Sequence, residues 1–95
     1  REGALYRATV LNVQARLRVA YDDYFLVDKS IDVVRNNLAL LKTLTETAEA
    51  RYQVGEGLQQ DVARAQVELS ILTGRLISLE QERQSTQAML NAILN

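Results

Sequence analysis

The sequence contains no cysteine, proline, histidine or tryptophan, and only four of its 95 residues are glycine. Without cysteine the chain has no disulfide, no thiolate metal ligand and no cysteine nucleophile. Without histidine it lacks the commonest metal ligand and the commonest general base. Proline is the residue that most often interrupts helices, so its absence favours a chain of long helices.

The charge is also nearly balanced, with 11 basic and 12 acidic residues and a net charge of −1. This balance gives no electrostatic reason to bind nucleic acid. Uninterrupted apolar runs are short, as in Tyr24 to Val27, whereas a membrane-spanning helix needs about 20 apolar residues. Apolar residues still make up 47% of the chain, which argues against a disordered tail. Because the chain begins with Arg1, we expect it to be part of a longer protein.

Apolar and small residues recur along the chain at alternating steps of three and four residues. One series comprises Val10, Val13, Leu17, Ala20, Tyr24, Val27, Ile31, Val34, Leu38, Leu41, Thr45, Ala48 and Tyr52, and the other Leu58, Val62, Ala65, Leu69, Leu72, Leu76, Leu79, Arg83, Thr86, Leu90 and Ile93. A period of 3.5 residues is typical of the seam of a left-handed coiled coil. The sequence therefore predicts two helices that each present one continuous seam.

The two series are mirror images about Gly55, because the numbers of opposed residues add to 110. An antiparallel hairpin folded at Gly55 would bring them level, layer by layer. We predict an all-α fold, a long antiparallel coiled-coil helical hairpin, with a first helix over 1–53, a tip over 54–57 and a second helix over 58–95. At 1.5 Å per residue the two arms would be roughly 75 Å and 55 Å long.

Two layers of this seam carry polar groups, because Val27 opposes Arg83 and Tyr24 opposes Thr86. Arg83 is within reach of Asp28 or Asp23, and a polar layer that sets the register is an equal alternative. Residues 1–14 have no mirror partners within the chain, so we expect them to find another partner or to fray.

A second apolar line runs beside the seam on each helix. Its members are Leu26, Val33, Leu40 and Leu44 on the first helix, and Val67, Ile71 and Gly74 on the second. Two apolar edges suit a helix that contacts neighbours on both sides. We therefore expect self-association into a larger helical bundle or barrel. Gly74 has two equal explanations, a close helix approach or a tolerated surface glycine.

No catalytic constellation is visible in the sequence. Asp28 and Asp32 share a helical face, but a cation would need more oxygen ligands, and we interpret them as a solvated acidic patch. The serines have no histidine to activate them. Gly55-Glu56-Gly57 lacks the lysine of a phosphate-binding loop. We predict a protein that is not an enzyme and has no cofactor, metal site or catalytic residue.

The tip resembles the periplasmic hairpin of TolC-type outer-membrane efflux proteins. The residues that carry the resemblance are Arg51, Tyr52, Val54, Gly55, Asp61, Val62, Ala63, Ala65 and Gln66. Ala20-Tyr21, Ile31-Asp32-Val33 and the closing Leu90-Asn91-Ala92-Ile93-Leu94 are similar to other parts of such a repeat, so the resemblance covers nearly the whole chain. This chain departs from the pattern at Glu56 and Gly57, where the family often has other residues.

The resemblance implies a function in passive transport. It implies a homotrimeric channel in the bacterial outer membrane, with this segment in the periplasm, that serves drug efflux or type I secretion with a periplasmic adaptor (membrane fusion protein) and an inner-membrane transporter. By the same resemblance, Val54, Gly55 and Glu56 would contact the adaptor, whereas Tyr52, Gln60 and Asp61 would lie at the channel constriction.

Two other functions fit the same pattern. One is the periplasmic hairpin of the adaptor itself. The tips of adaptor hairpins resemble an Arg-Leu-Ser type of motif, which is absent here. The other is a generic interaction module, such as a four-helix sensory bundle formed by two hairpins.

Overall fold

The protein, described by a computed structural model over residues 1–95, consists of two long helices and a short connection. Helix α1 comprises Glu2–Gln53 and helix α2 comprises Gln59–Leu94. The helices run antiparallel and pack along their length, and there is no strand. The structure thus confirms the predicted all-α helical hairpin. The helices begin and end within one residue of the predicted limits.

The hairpin is a rod rather than a compact domain. It measures 80 × 16 × 14 Å and has a radius of gyration of 22.1 Å. A compact chain of this length would have a radius of gyration of about 12 Å. The long dimension matches α1, since 52 helical residues at about 1.5 Å each span about 78 Å. Such a shape places most side chains at or near the surface.

The buried residues all belong to the predicted seam. They are Ala20, Val27, Ile31, Val34, Thr45 and Thr86. The side chain of Ile31 is the largest one that is fully buried. Because both helices contribute one stripe each, the core is a single line of layers instead of a three-dimensional cluster.

Two of the buried residues are threonines, and both keep their hydroxyl groups satisfied within their own helix. The Thr45 hydroxyl donates to the Leu41 carbonyl at 2.8 Å, and the Thr86 hydroxyl donates to the Glu82 carbonyl at 2.9 Å. A threonine bonded back in this way can occupy a seam without an unpaired polar atom. No buried side-chain nitrogen or oxygen in the protein lacks a partner.

The polar layer predicted at Arg83 forms an ion pair with α1. Arg83 Nη1 lies 3.0 Å from Asp28 Oδ1, so the partner is Asp28 and not Asp23. Asp28 is therefore engaged across the hairpin and is not simply solvated beside Asp32. The side chains of Asp28 and Arg83 stay partly exposed, and ion pairs that water reaches contribute little to stability. We infer that this pair mainly fixes the register of the two helices.

The part of α1 that has no mirror partners remains helical. The helix extends back to Glu2, and the Leu5 amide donates to the Arg1 carbonyl at 3.1 Å. Residues 2–14 are thus helical although no other element of the chain covers them. Their large apolar side chains, among them Leu5, Tyr6 and Leu11, are exposed.

Candidate interaction site at the hairpin tip

The chain reverses through a compact motif at the end of α1. Gly55 has a φ of +79°, and it is the one residue of the protein with a positive φ. Its amide donates to the Tyr52 carbonyl at 3.1 Å, and the Glu56 amide donates to the Arg51 carbonyl at 2.8 Å. These two bonds are those of a Schellman motif, which satisfies the last carbonyls of a helix and favours glycine at the left-handed position.

Gly57 serves a different purpose from Gly55. Its φ is not positive, so Gly55 alone supplies the left-handed residue of the turn. A Cβ added at Gly57 would lie 3.3 Å from both Arg51 Cβ and the Tyr52 backbone nitrogen. The backbone of the connection passes so close to α1 that only a residue without a side chain fits easily.

Substitution of two of the glycines by alanine should change the stability of the hairpin in opposite directions. Gly55→Ala should destabilise the hairpin by about 1–2 kcal/mol, because alanine is strained at a left-handed position. Gly74→Ala should stabilise it by about 0.5–1 kcal/mol, because alanine is the better helix former and a Cβ there meets nothing within 4 Å. Urea denaturation followed by circular dichroism measures both. Equal and same-signed effects would contradict the assignment of Gly55 as the turn residue.

Gly74 does not lie in close contact with the other helix of the hairpin. Since no atom lies within 4 Å of a built Cβ, close approach to α1 does not account for it. It is a surface glycine in this structure.

Helix α2 starts without a side-chain cap. Leu58 occupies the N-cap position in an extended conformation, with φ −103° and ψ 140°, and no side chain hydrogen-bonds to the free amides. Asp61 therefore does not cap the helix. Asp61 does lie in the first turn, where its negative charge interacts favourably with the helix dipole.

The final seam layer is open at the tip. The seam pattern places Tyr52 and Leu58 in it, but both side chains are exposed, as is Val54. The protected part of the seam ends one layer earlier, at Ala48 and Val62. The tip therefore presents apolar side chains to solvent that a partner can contact.

A shallow cleft of about 340 Å³ lies beside the tip. It is lined by Ala48, Arg51, Glu56, Gly57, Leu58 and Asp61. The structure thus brings Glu56 of the predicted adaptor contact to the same cleft as Asp61 of the predicted constriction. The other predicted residues, Tyr52, Val54, Gly55 and Gln60, do not line it.

Arg51 is the residue that sequence reasoning did not place in the site. It stands in the last turn of α1, where a cation is favoured by the helix dipole, and this position is the signal that could have identified it. One guanidinium and two carboxylates in a shallow cleft can form ion pairs and hydrogen bonds with a polar or basic partner.

Two further properties of the whole chain bear on its chemistry. No group of three or more acidic side chains is placed to hold a metal ion. Neither helix combines the length and the apolar character needed to cross a membrane.

No protein-family model matches the chain, and no curated protein or solved structure matches it either.

Proposed function

We propose that this chain is the periplasmic coiled-coil segment of a homotrimeric outer-membrane exit duct for drug efflux or type I secretion. The observation that carries the proposal is a coincidence of motif and geometry. The stretch from Arg51 to Asp61, which resembles the tip of TolC-type repeats, contains the turn of an antiparallel hairpin about 80 Å long. A long rod with this motif at its end is what such a duct requires of each hairpin.

The side faces of the rod also support the proposal. A tunnel wall needs helices that contact neighbours on both sides. Leu26, Val33 and Leu40 are exposed beside the seam of α1, and Val67 and Ile71 are exposed on α2. These side chains have no cover in the hairpin alone and would be buried between hairpins of a wall.

In this proposal the tip is the inner entrance of the duct. The exposed Val54, with Gly55 and Glu56, contacts the periplasmic adaptor, which in turn joins the duct to an inner-membrane transporter. Tyr52, Gln60 and Asp61 line the constriction. Adaptor binding shifts the population from a closed to an open packing of the hairpins. A ring of Asp61 carboxylates biases the entrance toward cations.

The test is single-channel conductance of the full-length channel that contains this segment, in planar bilayers. Asp61→Ala should reduce the preference for cations over anions, because it removes one carboxylate per copy of the hairpin from the entrance. Asp32→Ala is the matched control, since Asp32 is exposed in the middle of the rod and should leave selectivity unchanged. Unchanged selectivity, conductance and drug export in Asp61→Ala would remove the gating role.

A further inference from the structure

The two long edges of the hairpin differ in chemistry. Three hydrogen bonds join side chains of the two helices. They pair Asp28 with Arg83, Arg35 with Glu80, and Glu49 with Gln66. The three α1 residues are separated by multiples of seven, so they lie along one edge of the coiled coil. We call it the polar edge.

The opposite edge of α1 is apolar and uncovered. It consists of Val19, Leu26, Val33, Leu40 and Leu44, whose side chains are 54–67% exposed, and we call it the apolar edge. Leu26 and Asp28 are two residues apart, which is about 200° around a helix, so the two edges face opposite directions. Val19 shares a surface cleft with Met89 of α2, which extends the apolar surface onto the second helix.

The spacing along the apolar edge indicates what kind of partner covers it. Val19, Leu26, Val33 and Leu40 recur every seven residues, and Leu44 follows four residues later. A seven-residue repeat keeps these side chains on one side of the coiled coil, so the line they form is complementary to another long helix packed nearly parallel to the axis. A small molecule or a globular surface would not require this repeat over some 25 residues.

The surface area of the hairpin shows that there is room for such a partner. The chain exposes 7566 Å², whereas a folded monomer of 10.7 kDa would expose about 5500 Å². The excess is roughly 2000 Å², and each partner in a standard stable interface contributes about 800 Å². The hairpin can therefore bury one such interface and still expose as much surface as an ordinary folded domain of its mass.

The distribution of charge favours a second copy in the reverse direction. Residues 1–27 and 83–95, which form the open half of the rod, carry five basic and three acidic side chains. Residues 28–82, which form the tip half, carry six basic and nine acidic side chains. Two copies side by side in the same direction would align like charges, whereas antiparallel copies would align the positive half of one with the negative half of the other.

We propose that a second copy of this chain docks antiparallel along the apolar edge in solution, so that two hairpins form a four-helix bundle. The inference does not rest on the proposed function, because it concerns the 95-residue chain by itself. In a duct wall a neighbouring hairpin pointing the same way would cover the same edge, so the two arrangements are alternatives for one surface. The nearly neutral net charge of −1 means that the copies do not repel each other as a whole.

Sedimentation equilibrium of the 95-residue chain tests the surface. Leu26→Glu combined with Val33→Glu should weaken the dimer at least about 100-fold, because two buried apolar contacts are each replaced by a charge. Phe25→Glu combined with Ile77→Glu is the matched control, since these side chains are also about half exposed but lie off the apolar edge. The control should change the dissociation constant less than about threefold. A monomeric wild type, or equal weakening by both double variants, would overturn the proposal.

The direction of docking is tested by spin labels, for which a chain without cysteine is well suited. Asp22→Cys places a label on an exposed position that flanks the apolar edge. If antiparallel copies pair about the middle of the apolar edge, near residues 31 and 32, residue 22 of one copy lies level with residue 41 of the other. The two labelled positions are then offset by about 19 helical residues, which is roughly 28 Å along the rod. In a parallel dimer they would be level, and only the interaxial spacing of roughly 10 Å would separate them. A short distance would overturn the antiparallel arrangement. Helical circular dichroism of every variant verifies that it is folded.

Discussion

Val34→Asp is expected to unfold the hairpin, whereas Val33→Asp is expected to leave it folded. The two valines are neighbours in sequence and identical in chemistry. Val34 is 6% exposed and Val33 is 58% exposed, because only Val34 faces α2. A carboxylate at residue 34 would lie in the seam opposite Leu76, among apolar layers that offer no cation.

The expected size of the effect follows from the cost of an unpaired buried charge. An uncompensated charge in a protein interior costs roughly 3–5 kcal/mol. A domain of this length has a total stability of roughly 5–15 kcal/mol, and only six buried residues suggest the lower end. Val34→Asp should therefore reduce the helical signal at 25 °C or shift the urea midpoint by more than half of its wild-type value.

Measurement at two protein concentrations isolates the effect of the seam from that of association. Val33 lies on the apolar edge, so Val33→Asp should weaken any dimer. The apparent stability of this variant should then no longer depend on protein concentration. Its stability at the lower concentration should remain within about 1 kcal/mol of the wild type. Similar losses for both valine variants would show that Val34 does not face the partner helix.

Ile31→Ala is expected to be the most destabilising of the simple truncations. Ile31 is 0% exposed and lies in the middle of the protected seam, with Val27 and Val34 in the adjacent layers. Truncation of a buried isoleucine to alanine costs about 2–5 kcal/mol, through lost burial and the cavity that remains. A loss of about 3 kcal/mol should lower the melting temperature by roughly 12–24 °C.

Ile77→Ala is the matched control for this prediction. Ile77 is the same residue type in the same fold, but it is 52% exposed on the outer side of α2. Its truncation should change stability by less than about 0.5 kcal/mol. Thermal denaturation followed by circular dichroism compares the two variants directly. A loss for Ile77→Ala as large as that for Ile31→Ala would mean that a surface other than the seam holds the hairpin together.

The fold was predictable because its information is local and periodic. Each helix repeats one 3.5-residue pattern, and a single break between Gln53 and Leu58 separates the two repeats. The mirror relation about Gly55 then leaves one way to pair the seams within a hairpin, so helix limits and buried residues such as Ile31 follow from spacing alone.

The tip was less predictable because it depends on distances that no spacing rule specifies. The mirror relation predicts a turn at Gly55, but only the backbone path shows that Gly55 provides the left-handed residue and Gly57 the close approach. The exposure of Tyr52 and the absence of a cap from Asp61 likewise depend on how steeply the chain leaves α1. The tip cleft that combines Arg51, Glu56 and Asp61 follows from the same path.

By itself, then, the sequence determined that the protein is a proline-free helical hairpin with one continuous seam and a second apolar line. Periodicity sets which side chains share a face, and this holds for any helix of that sequence. Only the tertiary structure decided that Arg83 pairs with Asp28 and not Asp23, and that the polar contacts all gather on one edge while the other stays uncovered. These contacts depend on how the two helices are rotated about their own axes when they pack. That rotation is a property of the packed pair and not of the sequence of either helix alone.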